Sequence, residues 1–281
     1  MRKKNFISGV IRTKGTAPYL KLIVANALAH IDHVVIVDNN QEDIWRKDFQ
    51  HLGKVSYKHD PREITPICTD EHKAYFDNHD HFAPLSLASF YRDAFNLAPF
   101  GFVMKLDDDD YWTEYGWKKL ARWLISASPS SIVYFNGINL VDTNKLSLST
   151  PICGGRDHFV IGPDVNYDFR NDEQWETLHF QNPPSRTLFL KLTYYHLKFY
   201  KNAPGYFKDI CDSNCVFLSD KDAKNRIGGH LNELHIPAHK KIIDKIMPRL
   251  LKNTEIGCSE LIKFWTHTKN DRENLAIDNN L

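Results

Sequence analysis

The sequence FVMKLDDDDYW places four consecutive aspartates, Asp107–Asp110, directly after a short apolar run. Carboxylates that adjoin in this way repel one another, and the repulsion grows where water is excluded. A positive partner is therefore expected at this point of the chain. Clustered oxygen ligands on a short turn suit Mg²⁺ or Mn²⁺, which can also bridge a diphosphate group. This aspartate cluster thus predicts a divalent-metal site at the end of a strand.

Two other interpretations of the aspartate cluster fit the residues less well. A cap for a helix that begins near Thr113 needs one carboxylate, but four are present. A calcium loop of the EF-hand type, counted from Asp107, needs Gly at position six and Glu at position twelve, where the chain has Trp112 and Lys118. A non-catalytic module that binds calcium or carbohydrate stays open as an alternative, although it would not need Asp38 at a second strand end.

Strand-like and helix-like segments alternate through the first half of the chain. Short apolar runs are typical of buried strands, and apolar residues at helical spacing are typical of amphipathic helices. The predicted strands are 5–11, 33–40, 54–59, 100–107 and 130–142, and the predicted helices are 15–30, 85–97 and 113–126. We expect a long loop at 60–84, irregular structure beyond 150 and a basic amphipathic helix at 239–253. The alternation predicts an α/β fold with a mostly parallel sheet.

Two of the predicted strands end in acidic residues. Asp38 ends the run VVIVD, and the aspartate cluster ends the run FVMKLD. In open α/β sheets, ligands bind beyond the carboxyl ends of the strands. We therefore expect both acidic sites to face the ligand.

The overall composition excludes several classes of protein. The net charge is +1, from 36 Lys and Arg against 35 Asp and Glu, so a nucleic-acid partner is not predicted. No apolar run reaches the roughly 18 residues of a transmembrane helix. The basic start MRKKNFISGVIRTKG is interrupted by Arg12 and Lys14, which argues against a signal peptide. A cytoplasmic location is the resulting expectation.

The segment FVMKLDDDDYW resembles the D-x-D segment of glycosyltransferases with the GT-A fold, especially those of the family 2 type. FISGVIRTKGTAPYLKLIVANAL and HVVIVDNNQED resemble the opening of that family, and the resemblance covers about residues 5–145. GGRDHF, ETLHF and YYHLKF resemble elements of relatives that build bacterial surface polysaccharides. The resemblance implies a Rossmann-like GT-A domain, continuous from a nucleotide-sugar-binding core at 1–150 into an acceptor-side region at 151–281.

The resemblance also implies roles for the acidic residues. Asp107 and Asp109 match the two aspartates of the motif, and Asp110 matches the acidic residue that often follows them. Asp109 is the expected metal ligand, Asp107 is expected to contact the metal or the donor ribose, and Asp108 is expected on the donor side. Asp38 falls on the position that contacts the nucleoside.

Three basic residues and one histidine extend the predicted donor site. Arg12 and Arg92 are candidate contacts for phosphate or nucleoside, because a guanidinium group offers forked donors to phosphate oxygens. A surface ion pair is the alternative for each arginine. His196 is a candidate third metal ligand, since some GT-A enzymes supply a late histidine, and a purely structural histidine is the alternative. Lys198 lies two residues further on and could reach the diphosphate.

Inversion at the sugar carbon needs a carboxylate that takes the proton of the acceptor hydroxyl. Asp157 is the first candidate, because CGGRDHF sets an acid on a glycine-containing turn after the core sheet. Glu176 is the second candidate and Glu173 the third. The family's helical ED dipeptide has no evident counterpart here, so the base stays open among these three.

Together with the aspartate cluster, the resemblance implies a metal-dependent, inverting glycosyltransferase that uses Mn²⁺ or Mg²⁺. It would move a sugar from a nucleotide-sugar to a surface glycan such as lipopolysaccharide or capsule, on a glycan or lipid-linked acceptor. The basic stretch Ile242–Lys252 fits peripheral contact with an anionic membrane, or equally an ordinary packing helix. A nucleotidyltransferase is the main alternative, but it usually has a glycine-rich loop with a lysine after the first strand, and IRTKGTAP holds one glycine.

Overall fold

The computed structural model describes residues 5–197, apart from 16, 18, 68, 143–144, 148–151 and 173–175, together with the short strand 215–217. The helices are α1 (Leu20–Leu28), α2 (Arg46–Phe49), α3 (Asp70–Asp77), α4 (Leu87–Phe95) and α5 (Glu114–Ser126). The strands are β1 (Ile7–Thr13), β2 (His33–Asp38), β3 (Val55–His59), β4 (Phe102–Asp107), β5 (Asp110–Trp112), β6 (Ser131–Asp142), β7 (Lys145–Ser147), β8 (Ile152–Ile161), β9 (Tyr167–Asn171), β10 (Glu176–Phe180), β11 (Arg186–His196) and β12 (Cys215–Phe217). Lys198, Glu173 and the predicted helix at 239–253 lie outside the described residues.

One large sheet organises the fold. Its strand order is β12-β7-β6-β8-β4-β1-β2-β3, with β11 beside β6 and β5 beside β11. β1 runs parallel to both β2 and β4, and β3 runs parallel to β2, so this half of the sheet is parallel as predicted. β8 runs antiparallel between β4 and β6, while β11 is parallel to β6. The predicted α/β fold is confirmed, and the carboxyl ends of β1, β2 and β4 meet at one edge.

Apolar side chains cover both faces of the parallel strands. In β2, Val34 and Ile36 belong to the core under α1 and α5, whereas Val35 and Val37 belong to the core under α4 and the β9–β10 hairpin. A strand that is buried on both faces needs an unbroken apolar run, which explains why HVVIVD shows no alternation. No helix among the described residues is both long and apolar enough to span a membrane.

The structure contains elements that the sequence pattern did not predict. The segment 60–84 includes the helix α3, whose N-terminus is capped by the Thr69 side chain, which accepts a hydrogen bond from His72 N. α3 is mostly polar, so the sequence shows few apolar residues at helical spacing there. Beyond residue 151, the described residues include the strands β8 to β11, where the sequence showed no clear period. Their Gly, His and aromatic residues pack within the sheet instead of following a simple alternation.

Candidate metal and donor site

The aspartate cluster lies on the turn between β4 and β5. α5 begins just after it, but the cap of this helix is Thr113, whose Oγ1 accepts a hydrogen bond from Gly116 N at 3.0 Å. The aspartates are therefore not used as the helix cap. Asp108, Asp109 and Asp110 are 3% exposed or less, so these acidic side chains are held inside the fold.

β11 brings a histidine to the cluster. β5 pairs antiparallel with β11, and Asp110 stands directly opposite His196 in the register. His196 Nε2 lies 3.6 Å from Asp109 Oδ2, and its Nδ1 lies 2.6 Å from Asn139 Oδ1. The amide oxygen accepts a hydrogen bond from Nδ1–H, so Nε2 is the ring nitrogen that faces the carboxylates and could bind a cation. Asp109, Asp110 and His196 offer ligand atoms within 4.8 Å of one another.

β8 brings a second histidine to the other side of Asp110. His158 Nε2 lies 3.1 Å from Asp110 Oδ2 and 3.4 Å from Asp107 Oδ2, and His158 Nδ1 lies 2.9 Å from Asp157 Oδ2. Burial by itself lowers the pKa of His158, but the charge of Asp110 and the contacts with the other two carboxylates outweigh it and raise the pKa well above its usual range. His158 is thus an imidazolium that offsets part of the negative charge.

Asp110 is the carboxylate with the least compensation. It is 1% exposed, and neither of its oxygens receives a well-directed hydrogen bond, so its contact with His158 is an ion pair. Burial raises the pKa of Asp110; the nearby charge of His158 opposes this shift, while the charges of Asp107 and Asp109 add to it. A buried carboxylate costs several kcal/mol unless cations compensate it, and the single imidazolium of His158 is shared among Asp107, Asp110 and Asp157. Asp110, Asp109 and His196 are therefore a donor set that fits a divalent cation, and mixed oxygen and nitrogen ligands suit Mn²⁺.

A buried lysine lies beneath the cluster. Lys105 Nζ on β4 is 2.5 Å from Glu176 Oε1 on β10, and both side chains are about 5% exposed. Burial by itself lowers the pKa of Lys105, but Glu176, Tyr91 and Asp107 outweigh it and raise the pKa well above its usual range. Lys105 therefore supplies a second permanent positive charge. Glu176, predicted as a base, is engaged in this ion pair.

Asp38 lies at the same edge of the sheet, at the end of β2. It is fully buried, and its carboxylate accepts hydrogen bonds from Tyr57 Oη at 2.7 Å and from Asn40 N and Nδ2 at 3.1 and 2.7 Å. Asn40 Oδ1 in turn accepts a hydrogen bond from Gly15 N at 2.6 Å. These bonds connect the ends of β1 and β2. Asp38 thus fixes the turn that follows β2.

Arg12 and Asp108 lie beside the cluster. Arg12 is opposite Asp107 in the pairing of β1 with β4. Its Nη2 donates a hydrogen bond to Asn39 Oδ1 at 3.1 Å. Its Nε is buried and has no hydrogen-bond partner among the described residues. Asp108 Oδ2 accepts a hydrogen bond from Thr13 Oγ1 at 2.9 Å, which ties the turn to β1. The structure therefore places Arg12 where a phosphate could be bound, and Asp108 in a supporting contact.

Arg92 is placed in a different environment. Its Nε lies 2.7 Å from Asp168 Oδ1, and its Nη2 donates to Phe169 O at 2.8 Å and to His81 O at 3.3 Å. Its guanidinium group also lies 4.2 Å from the centroid of the Phe82 ring. These contacts tie α4 to β9. They are contacts of a structural ion pair, which was the alternative for this residue.

A cleft of about 650 Å³ opens next to the cluster, and its walls include Asp157, Asp172 and Glu176. The side chain of Asp157 is 42% exposed, and only the imidazole ring of His158 stands between it and Asp110. Burial raises the pKa of Asp157, but the close contact with His158 and its charge outweigh this effect and lower the pKa to about 2. Asp157 is therefore ionised at neutral pH, at the boundary between the cluster and the cleft.

Sequence reasoning missed the positive charges of this site. Lys105 stood within an apolar run, FVMKLD, and a lone lysine in a buried strand signals a buried counter-charge. His158 follows Asp157 directly, and the resemblance implies no role for it. Asp110 was matched to the motif but was not named as a metal ligand. No short-range pattern connects these residues, because β8 and β11 are far from β4 in the sequence.

No family model and no curated protein matches the sequence. Among solved structures, S. aureus TarS 1–349 is similar with 16% identity and a TM-score of 0.33, over 48% of this chain and 36% of that chain. 4-Diphosphocytidyl-2C-methyl-D-erythritol synthase from Anaerococcus prevotii is similar with 13% identity and a TM-score of 0.29, over 57% of this chain and 71% of that one. The chain thus spans about a third of the TarS structure. At TM-scores this low, neither likeness assigns a function.

Proposed function

We propose that this protein is a metal-dependent glycosyltransferase that uses a nucleotide-sugar donor, as the resemblance of its D-x-D segment implies. The observation that carries the proposal is the buried Asp110 carboxylate. Among the described residues it receives no well-directed hydrogen bond, it shares the charge of His158 with two other carboxylates, and it lies beside Asp109 and His196 at the carboxyl edge of the sheet. That edge is where α/β sheets bind their ligands.

The proposed donor site uses three groups of residues. Asp109, Asp110 and His196 would hold the cation, with Mn²⁺ favoured over Mg²⁺ because of the imidazole. A divalent cation in such a place stabilises the negative charge of a leaving diphosphate. Asp107, whose side chain is 33% exposed, faces the donor, and Arg12 offers its guanidinium group to a phosphate.

The turn held by Asp38 forms the nucleoside side of the proposed site. Asp38 itself is fully buried, and both of its oxygens already accept hydrogen bonds, from Tyr57 and Asn40. Its expected contribution to nucleoside binding is therefore to fix Asn40 and the end of β1. We therefore propose this indirect role for Asp38 instead of a direct contact with the nucleoside.

Asp157 is the proposed general base. It is ionised, it is partly exposed to the cleft, and His158 connects it to the aspartate cluster. Its low pKa keeps it ionised but also makes it a weak base. Asp172 lines the same cleft and is therefore the comparison residue in any test of the base. Glu176 is less suited, because Lys105 already holds its carboxylate.

The finer parts of the proposal rest on the resemblance. The proposed reaction inverts the sugar carbon, and its acceptor belongs to a bacterial surface glycan such as lipopolysaccharide or capsule. The proposed location is the cytoplasm, including the membrane surface. The chain is proposed to form a single domain in which residues 151–281 bind the acceptor.

Calorimetric titration with UDP, GDP, CDP and dTDP, with and without Mn²⁺, tests the donor site. We expect one nucleotide to bind in a Mn²⁺-dependent manner, and Asp110→Asn to abolish this dependence. Asp77→Asn, at an exposed aspartate of α3, is the matched control and should bind as the unmodified protein does. The nucleotide-sugar of that base should then be hydrolysed slowly. Release of pyrophosphate from a nucleoside triphosphate and a sugar phosphate would instead favour a nucleotidyltransferase.

A further inference from the structure

Two adjoining cavities form a groove that leads away from Asp157. The cleft of about 650 Å³ and a second cavity of about 700 Å³ share four wall residues. The shared residues are Tyr134, Arg156, Leu178 and Phe180. The second cavity extends to Pro183, Pro184 and Phe189, so the groove begins at the proposed base and ends at the start of β11.

The groove is formed between the β9–β10 hairpin and the large sheet. Leu178 and Phe180 are alternate residues of β10, and both pack toward the sheet. Tyr134 of β6 stands opposite Phe189 of β11 in the register, which places both rings on one face. Two layers of apolar side chains thus form its walls. An elongated molecule could lie between them with one end at Asp157.

The walls suit sugar rings. A pyranose has flat C–H faces and a polar hydroxyl edge, so its faces pack against aromatic and proline side chains while its edge stays hydrated. Phe189 is 41% exposed, although it is a large apolar side chain. An exposed aromatic residue that lines a groove is typical of a binding surface.

Arg156 gives the groove its charge preference. The side chain of Arg156 is exposed and lines both cavities. Burial raises the pKa of Tyr134, and the positive charge of Arg156 opposes this shift. Within the described part of the chain, Arg156 has no ion pair. Two of the three acids at the inner end already face cations, since Asp157 contacts His158 and Glu176 contacts Lys105, and the third is Asp172. The guanidinium group of Arg156 is therefore available to an anion.

We propose that this groove binds an anionic glycan as the acceptor, with the sugar faces on Tyr134, Phe180 and Phe189, and a carboxylate or phosphate group on Arg156. This substrate class rests on the proposed glycosyltransferase function. The forked donors of arginine match the oxygens of a carboxylate or a phosphate, and a neutral hydroxyl gains less from them. Arg156 is thus the residue that selects an anionic acceptor.

The test is the binding of glucuronate, glucose 6-phosphate and glucose to the full chain, measured by saturation-transfer NMR without metal or nucleotide. We expect both anionic sugars, or one of them, to bind more tightly than glucose. Arg156→Ala should weaken that binding by about 10-fold or more, as loss of a charge-assisted hydrogen bond does. Arg156→Lys keeps the charge without the fork and should fall between. Arg122→Ala removes an exposed arginine of α5 and should have no effect.

The pattern of binding separates the two sources of charge. Preference for glucose 6-phosphate indicates a phosphate-bearing acceptor, and preference for glucuronate indicates a uronic acid. Equal binding of glucose and the anionic sugars, no binding of any of them, or unchanged binding by Arg156→Ala overturns the proposal. Mn²⁺-dependent nucleotide binding is measured separately on Arg156→Ala and should be unchanged, so a failure of the acceptor groove is distinguishable from a failure of the donor site.

Discussion

Asp38 and Asp110 lie on either side of β1 but have opposite surroundings. Asp38 ends β2 and Asp110 follows β4, and these two strands flank β1 in the sheet. Both side chains are almost completely buried. Asp38 accepts three hydrogen bonds, from Tyr57 and Asn40, whereas no well-directed hydrogen bond reaches Asp110.

The difference separates two uses of a buried carboxylate. A buried acid whose oxygens are all hydrogen-bonded stabilises the structure around it, and losing one donor costs a modest amount. A buried acid that lacks donors destabilises the unliganded protein, and it persists in a fold when a ligand compensates it. Asp38 is therefore expected to act on the conformation of a turn, and Asp110 on the bound ligand.

Replacing Asp110 should have the largest effect. Asp110→Asn removes the charge but keeps the shape, so we expect at least ~100-fold weaker Mn²⁺-dependent nucleotide binding and loss of transfer. The unliganded protein should keep its fold, because His158 retains Asp107 and Asp157 as partners. Calorimetry and thermal unfolding, with and without Mn²⁺, measure the two effects. Unchanged Mn²⁺ dependence would mean that Asp110 is not a ligand and that the comparison with Asp38 fails.

The next largest effect is expected at Asp157, which has one oxygen held by His158 and is otherwise open to the cleft. Asp157→Asn should lower the turnover number by about 10²–10⁴, the usual contribution of a general base, without changing nucleotide affinity. Single-turnover transfer and donor titration separate chemistry from binding. Full turnover by Asp157→Asn together with an inactive Asp172→Asn would assign the base to Asp172.

Removal of Lys105 tests a buried acid whose partner is a cation. Lys105→Met leaves Glu176 buried without its partner and should destabilise the protein by about 3–5 kcal/mol in urea unfolding. The double variant Lys105→Met/Glu176→Met should recover most of this loss, because it leaves no uncompensated charge. If the single variant is as stable as the unmodified protein, Glu176 is not held by Lys105 and returns as a candidate base.

The smallest effect is expected at Tyr57. Tyr57→Phe removes one of the three hydrogen bonds to Asp38, so nucleotide affinity should fall by about 3–10-fold through a looser turn. The Mn²⁺ dependence of binding should stay the same, since Tyr57 does not contact the aspartate cluster in the described structure. A larger loss than that of Asp110→Asn would reverse the order that the comparison predicts.

The parallel half of the sheet could be predicted because its signals are local. Continuous β-branched runs such as Val34–Val37 need burial on both faces, and this requirement is visible in a few residues. The same holds for the positions of Asp38 and the aspartate cluster at strand ends. The strands beyond residue 150 could not be predicted in this way, since β8 and β11 pair with strands that are distant in the sequence and carry Gly, His and aromatic residues at irregular spacing.

By itself, the sequence determined that acids would gather at the carboxyl edge of an α/β sheet, because strand periodicity and the order of elements are local properties. Only the tertiary structure decided how each charge is compensated. Lys105 meets Glu176 across 71 residues, and His196 meets Asp110 through the pairing of β5 with β11. Electrostatic energy depends on distance and burial in three dimensions, so whether a carboxylate is hydrogen-bonded like Asp38 or left for a ligand like Asp110 is set by packing.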